Sequence, residues 1–136
     1  ESGFDKEEIG YDARGEKPVG AFPLFKKGFP INWYNVNEYF PLTNKLLMSV
    51  PGIYFAQFSI MSPKSHILPH KHKVVGSQIF HINLFDLDGH AEFKAGNDTI
   101  NIENKADYFM FDPTNTHESK NFSNSYRIHL MFDFRV

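Results

Sequence analysis

The sequence predicts a mainly β fold, a β-barrel or jelly roll with one or two helices packed outside. Three observations carry this. Short runs rich in Phe, Ile, Tyr and Val recur from residue 53 onward: IYFAQFSIM, SQIFHINLFDL, HAEFKA, DTINIE, DYFMFD and SYRIHLMFDFRV,. Turn-forming residues separate them, as Ser-Pro-Lys-Ser, Asp-Gly, Gly-Asn-Asp and Asp-Pro-Thr-Asn,. Several runs alternate with the period of a strand, so each presents two distinct faces.

The elements follow in order. Residues 1–20 are polar, contain Gly and have no period, and read as an N-terminal arm or a lid,. Residues 21–136 form a single domain, because the 136-residue chain falls in the ordinary size range of one domain and is long enough to bury a core,. AFPLFKK is a short strand. In NVNEYFPLTNKLLMSV, Leu42, Leu46, Leu47 and Val50 fall at helical spacing,. Pro41 suits the first turn of that helix and Pro51-Gly52 ends it,. Trp33 and the apolar helix are read as packing.

Alternation assigns faces in the strands. In the last run Tyr126, Ile128, Leu130, Phe132 and Phe134 share an apolar face, and Arg127, His129, Met131 and Asp133 share the other,. Ile79, His81 and Asn83 oppose Phe80, Ile82 and Leu84, while Gln57 and Ser59 lie together. Polar groups confined to one face of three strands fit a barrel with a functional interior. Simple solvation of those faces is the plain alternative.

Composition narrows the function classes. A net charge of −2 offers no basic face for nucleic acid,. The absence of Cys excludes disulfides, thiolate catalysis and Cys-based zinc sites,. No apolar run reaches the ~18–20 residues of a membrane span, and no signal peptide is apparent, so a soluble, cytoplasmic protein is expected. Oligomeric state is open, since exposed strand edges can pair two chains.

Seven histidines stand in the chain, and His66-Ile-Leu-Pro-His70-Lys-His72 is the local cluster. His70 and His72, two apart, point the same way on a strand. His117 follows in a turn-like context, Asp-Pro-Thr-Asn-Thr-His117. Neutral imidazoles suit iron, zinc or copper. The alternative is a set of surface histidines on a polar loop.

Three segments together resemble the aspartyl/asparaginyl β-hydroxylase family. They are Phe58-Ser59-Ile-Met-Ser-Pro63-Lys-Ser65-His66-Ile-Leu-Pro69-His70, Phe111-Asp112-Pro-Thr-Asn-Thr-His117-Glu-Ser-Lys-Asn121, and Tyr126-Arg127-Ile-His-Leu-Met-Phe-Asp133. The upstream FPLFKKG and NEYFPLTNKLLMSVPG are similar to the family's lead-in, so the resemblance spans about residues 20–135. It implies a double-stranded β-helix of jelly-roll or cupin-like form. It also implies an Fe(II)- and 2-oxoglutarate-dependent oxygenase that hydroxylates an unactivated C–H of a small molecule, amino acid or peptide side chain with molecular oxygen. By the same resemblance, His70 and His117 hold iron and Arg127 pairs with the distal carboxylate of 2-oxoglutarate. Ser59 assists Arg127, and His81 contacts the cosubstrate near the metal. A guanidinium fork suits a carboxylate.

Two positions depart from the pattern. Where most 2-oxoglutarate oxygenases place a carboxylate, two after the proximal His, this chain has His72, either a third metal ligand or a bystander to a two-histidine site. The family's Arg-x-Arg-x-His stretch reads Ser77-Gln-Ile79-Phe-His81, so both arginines are absent. A neutral or apolar substrate fits Ile79 and Phe80 better than an acidic one. The competing reading is a cupin in which His70, His72 and His117 hold a metal without 2-oxoglutarate, as a dioxygenase or a ligand-binding module.

Overall fold

A computed structural model describes residues 19–27, 39–73 and 75–135. Most of the expected arm or lid, together with Trp33, lies outside the described residues.

Nine strands and one helix are described: β1 (Val19–Lys26), α1 (Pro41–Ser49), β2 (Ile53–Met61), β3 (Ser65–His70), β4 (Ser77–Asn83), β5 (Ala91–Ala95), β6 (Asp98–Ile102), β7 (Tyr108–Phe111), β8 (His117–Asn121) and β9 (Arg127–Arg135). They form two sheets, ordered β1-β2-β9-β4-β7 and β3-β8-β5-β6. Every pairing is antiparallel. From β2 onward the chain passes repeatedly from one sheet to the other, which is the double-stranded β-helix, a jelly-roll architecture. No helix among the described residues is long and apolar enough to cross a membrane.

The abundance of Phe is explained by two apolar clusters. Outside the larger sheet, Leu47 of α1 is buried with Leu24, Ile53 and Ala56, and Leu130, Phe132 and Phe134 of β9 pack against them. This is the apolar face that alternation assigns to the last strand. Pro41 occupies the first turn of α1, and Gly52, with φ of +84°, turns the chain into β2,. Leu42 and Leu46, although at helical spacing with Leu47, are exposed. The helix is short and meets the sheet along a narrow stripe centred on Leu47.

The second cluster lies between the sheets, where Ala91, Phe93, Ile102 and Phe109 are buried. Phe93 stacks on Phe109, with ring centroids 4.1 Å apart. Burying a Phe side chain contributes roughly 1.5–3 kcal/mol. This aromatic plug closes part of the interior and leaves the remainder to a cavity lined by both polar and apolar side chains.

β3 and β8 are strands that apolar patterning misses. In HESKN of β8, His117, Ser119 and Asn121 point inward and are buried, with no apolar residue among them. Asn121 holds this end of the jelly roll. Its Nδ2 donates to the carbonyls of Ser62 and Ser125, both at 2.9 Å, and its Oδ1 accepts from Ser123 Oγ at 2.6 Å. One amide thus ties the β2–β3 turn to the β8–β9 loop, and a buried polar side chain so fully partnered is stabilising rather than costly.

Candidate metal centre

His70 is the last residue of β3 and His117 the first of β8, and the two are direct cross-strand partners. The register of β3 against β8 is irregular between Ile67 and His70, a stretch containing Pro69, which has no N–H to give the ladder,. The irregularity frees the backbone of Leu68. Its carbonyl accepts from His70 Nδ1 at 2.7 Å. His117 repeats the arrangement, with Nδ1 donating to Asn115 O at 2.7 Å. In both rings the bond places the proton on Nδ1 and leaves the Nε2 lone pair for a ligand. This is how metal-binding imidazoles are oriented by groups behind them.

His72 lies beyond β3, in the loop. Its backbone N–H donates to Pro113 O at 2.8 Å. Pro113 belongs to the turn before β8, where Asp112 accepts from Thr114 N at 2.9 Å and Thr114 Oγ1 at 2.7 Å. These bonds hold the Asp112 carboxyl below its usual pKa,. That one turn supplies the carbonyl that orients His117 and the carbonyl that anchors His72. The possible ligand atoms of His70, His72 and His117 all lie within 4.8 Å of one another.

The donor set fits a divalent transition metal. Three imidazoles converge, and the one buried deepest, His117, has its pKa lowered to about 4, first by burial and then by His70 and His72, against the raising effect of the Asn115 carbonyl. It is therefore neutral and able to coordinate at any ordinary pH. Among the described residues, no carboxylate lines the adjoining cavity of about 100 Å³.

Arg127 reaches that cavity from β9. It is 3% exposed, and its Nη2 donates to Ser59 Oγ of β2 at 3.3 Å. Its Nε has no hydrogen-bond partner, and no carboxylate pairs with it among the described residues. Burial lowers its pKa to about 10, so it remains cationic at neutral pH. His81 of β4 also lines the cavity, stacked on Phe109 at 4.8 Å. Its Nδ1 lies 3.0 Å from Nδ1 of His129, which is fully buried. Burial first, and Arg127 next, hold both rings well below their ordinary pKa.

The structure therefore brings Ser59, His70, His72, His81, His117 and Arg127 around one cavity. Sequence reasoning passed over His129 as a site residue and the backbone carbonyls of Leu68, Pro113 and Asn115. The available signal for His129 was its place two residues from Arg127 on the same strand face.

The depressed histidines have a consequence for stability. His81, His117 and His129 bind protons more weakly folded than unfolded, so the unfolded chain gains protons first as pH falls. Their contribution is complete above the ordinary value near pH 6.5 and is lost below it. Metal-free protein is expected to lose up to about 1.4 kcal/mol per pH unit for each histidine as pH falls below about 6.5, and for His117 the loss runs down to about pH 4,. Urea denaturation across that range is the measurement, and a midpoint independent of pH would contradict the expectation.

Comparison with known proteins places this geometry in context. The model of the aspartyl/asparaginyl beta-hydroxylase family matches residues 4–136. No curated protein matches the chain in sequence. Among solved structures, a predicted oxalate decarboxylase from Thermotoga maritima superposes with a TM-score of 0.58 and 17% identity, over 97% of each chain. The cupin domain of Cnp3 from Schizosaccharomyces pombe gives 0.59 and 12%, covering 99% of this chain and 74% of that one. A Cupin_2 domain of an XRE family transcriptional regulator from Enterobacter cloacae gives 0.57 and 13%, covering 88% and 98%. At these identities the likeness concerns the fold, a cupin-like jelly roll.

Proposed function

Because the chain belongs to the aspartyl/asparaginyl β-hydroxylase family, we propose that it is an Fe(II)- and 2-oxoglutarate-dependent oxygenase that hydroxylates an unactivated C–H of a small molecule, amino acid or peptide side chain. The observation that carries this reading is charge balance. The cavity holds a buried guanidinium beside the imidazoles of His70, His72, His81 and His117, and among the described residues no carboxylate lines it. A divalent ion there would add two further positive charges. Such a site calls for an anion, and a dicarboxylate that meets both the metal and Arg127 supplies one.

When bound, ferrous iron with 2-oxoglutarate and molecular oxygen supplies the oxidant for C–H hydroxylation, with succinate and carbon dioxide as co-products. The chain's own residues hold and orient. His70 and His117, with His72 beside them, are the metal ligands. Arg127 and Ser59 take the distal carboxylate, for which a guanidinium offers paired donors in a fixed plane. His81 contacts the cosubstrate nearer the metal. Ile67, Ile79, Phe93, Phe111 and Met131 give the cavity its apolar wall. With Arg127 committed to the cosubstrate, the lining offers no second fixed charge among the described residues, which favours a neutral or apolar group on the substrate.

The test is spectroscopic. Fe(II)-loaded protein, kept anaerobic, is expected to develop a weak visible charge-transfer band on addition of 2-oxoglutarate. Metal bound without that band would sink the proposed cosubstrate. The three-histidine cluster would then favour a second reading, a cupin-type metal dioxygenase that needs no keto acid.

A further inference from the structure

The interior face of the larger sheet carries a second pair of histidines, outside the metal cluster. His81 and His129 are diagonal neighbours on adjacent strands, since His81 is aligned with Met131 and Asn83 with His129,. Their Nδ1 atoms are 3.0 Å apart. Two neutral imidazoles at that distance share one proton between the facing nitrogens, so one ring must be protonated on Nδ1 and the other on Nε2. His81 lines the cavity, whereas His129 is absent from its lining. The tautomer of one ring therefore decides what the other offers to the site.

The surroundings choose between the two arrangements. If His81 donated, His129 would carry its proton on Nε2, an atom that is buried with no hydrogen-bond partner. A second stranded donor would then join Arg127 Nε, which already lacks an acceptor,. If His129 donates, Nε2 of His129 is a lone pair in the field of a cation, and the electrostatic sign is favourable. Burial and the nearby guanidinium keep both rings neutral.

We propose that His129 is a positioning residue: its Nδ1–H donates to Nδ1 of His81 and holds His81 in the tautomer that presents Nε2–H to the cavity as an uncharged donor for an anionic ligand. A neutral imidazole donor adds directionality without a further buried charge beside Arg127. The ligand half of this statement rests on the 2-oxoglutarate reading; the tautomer half does not.

Long-range proton–nitrogen correlation spectra of nitrogen-15-labelled, metal-free protein read the tautomers directly. His81 is expected to be protonated on Nε2 and His129 on Nδ1, and the reverse pattern would overturn the proposal. In the Fe(II)-loaded protein, His129→Leu is expected to weaken 2-oxoglutarate binding roughly tenfold, as for loss of one hydrogen bond to a charged group. Metal affinity stays unchanged. His129→Asn, whose Nδ2–H stands where Nδ1–H stood, is expected to recover most of that loss. Equal losses in both variants, or none in His129→Leu, would also overturn it. If wild-type protein binds no 2-oxoglutarate, the cosubstrate reading fails and the tautomer pattern alone decides the role of His129.

Discussion

Arg127→Met is expected to stabilise the ligand-free protein while removing its affinity for 2-oxoglutarate. Arg127 is an almost wholly buried cation with a single hydroxyl partner. Burial lowers its pKa to about 10, and that shift sets the cost of its charge in the fold at about 3 kcal/mol at neutral pH,. Met is unbranched, of similar length and uncharged, so it fills the same channel without that penalty. Ser59 loses its partner in the exchange, which returns about 1 kcal/mol, and the net gain is about 2 kcal/mol. Binding moves the other way. A desolvated guanidinium–carboxylate contact is worth roughly 2–5 kcal/mol on truncation, so affinity for 2-oxoglutarate should fall at least about thirtyfold. Thermal denaturation and anaerobic titration of the chelate band measure the two effects on one sample. A variant that is destabilised and still binds normally would place the anion elsewhere.

His117→Ala should remove metal binding more completely than His72→Ala. His117 is buried, oriented by Asn115 and carried on a strand, whereas His72 is half-buried on a loop, with its backbone N–H bonded to Pro113 O. Structural zinc sites release about 10–16 kcal/mol over four ligands, so one well-held imidazole contributes roughly 3 kcal/mol, a hundredfold or more in affinity. Calorimetric titration with Fe(II) under nitrogen, or with Co(II) in its place, gives both values. Equal losses would make His72 a full third ligand. Undiminished binding in His117→Ala would remove the proposed centre.

The strands that announced themselves in the sequence are those with one apolar face. IYFAQFSIM and SYRIHLMFDFRV became β2 and β9, paired at the centre of the larger sheet. SHILPH and HESKN gave no such signal, and they are the strands that carry His70 and His117. The inward positions of β8 face the cavity and the Asn121 hydrogen bonds, so neither face of that strand is apolar, and hydrophobic periodicity vanishes where the candidate site is built. The jelly-roll class was legible because the remaining strands kept their alternation. The grouping of Ser59, His81 and Arg127 with the histidines rested on resemblance, since residues so distant in sequence meet only through strand pairing. The turn at Asp112 read as punctuation, but its carbonyls aim the imidazole of His117 and anchor the backbone of His72.

The position of β3 has a further consequence. Among the described residues it is the outermost strand of its sheet, bonded only to β8, and its ladder is broken around Pro69. Such a strand belongs to the least protected part of a fold, where local opening requires little free energy. An ion gripping His70 and His117 would fasten this edge to its neighbour at the end where backbone pairing is poorest. Metal loading would then slow amide exchange selectively along β3 and do little at the centre of the opposite sheet, so that the ion, besides serving chemistry, completes the hem of the barrel.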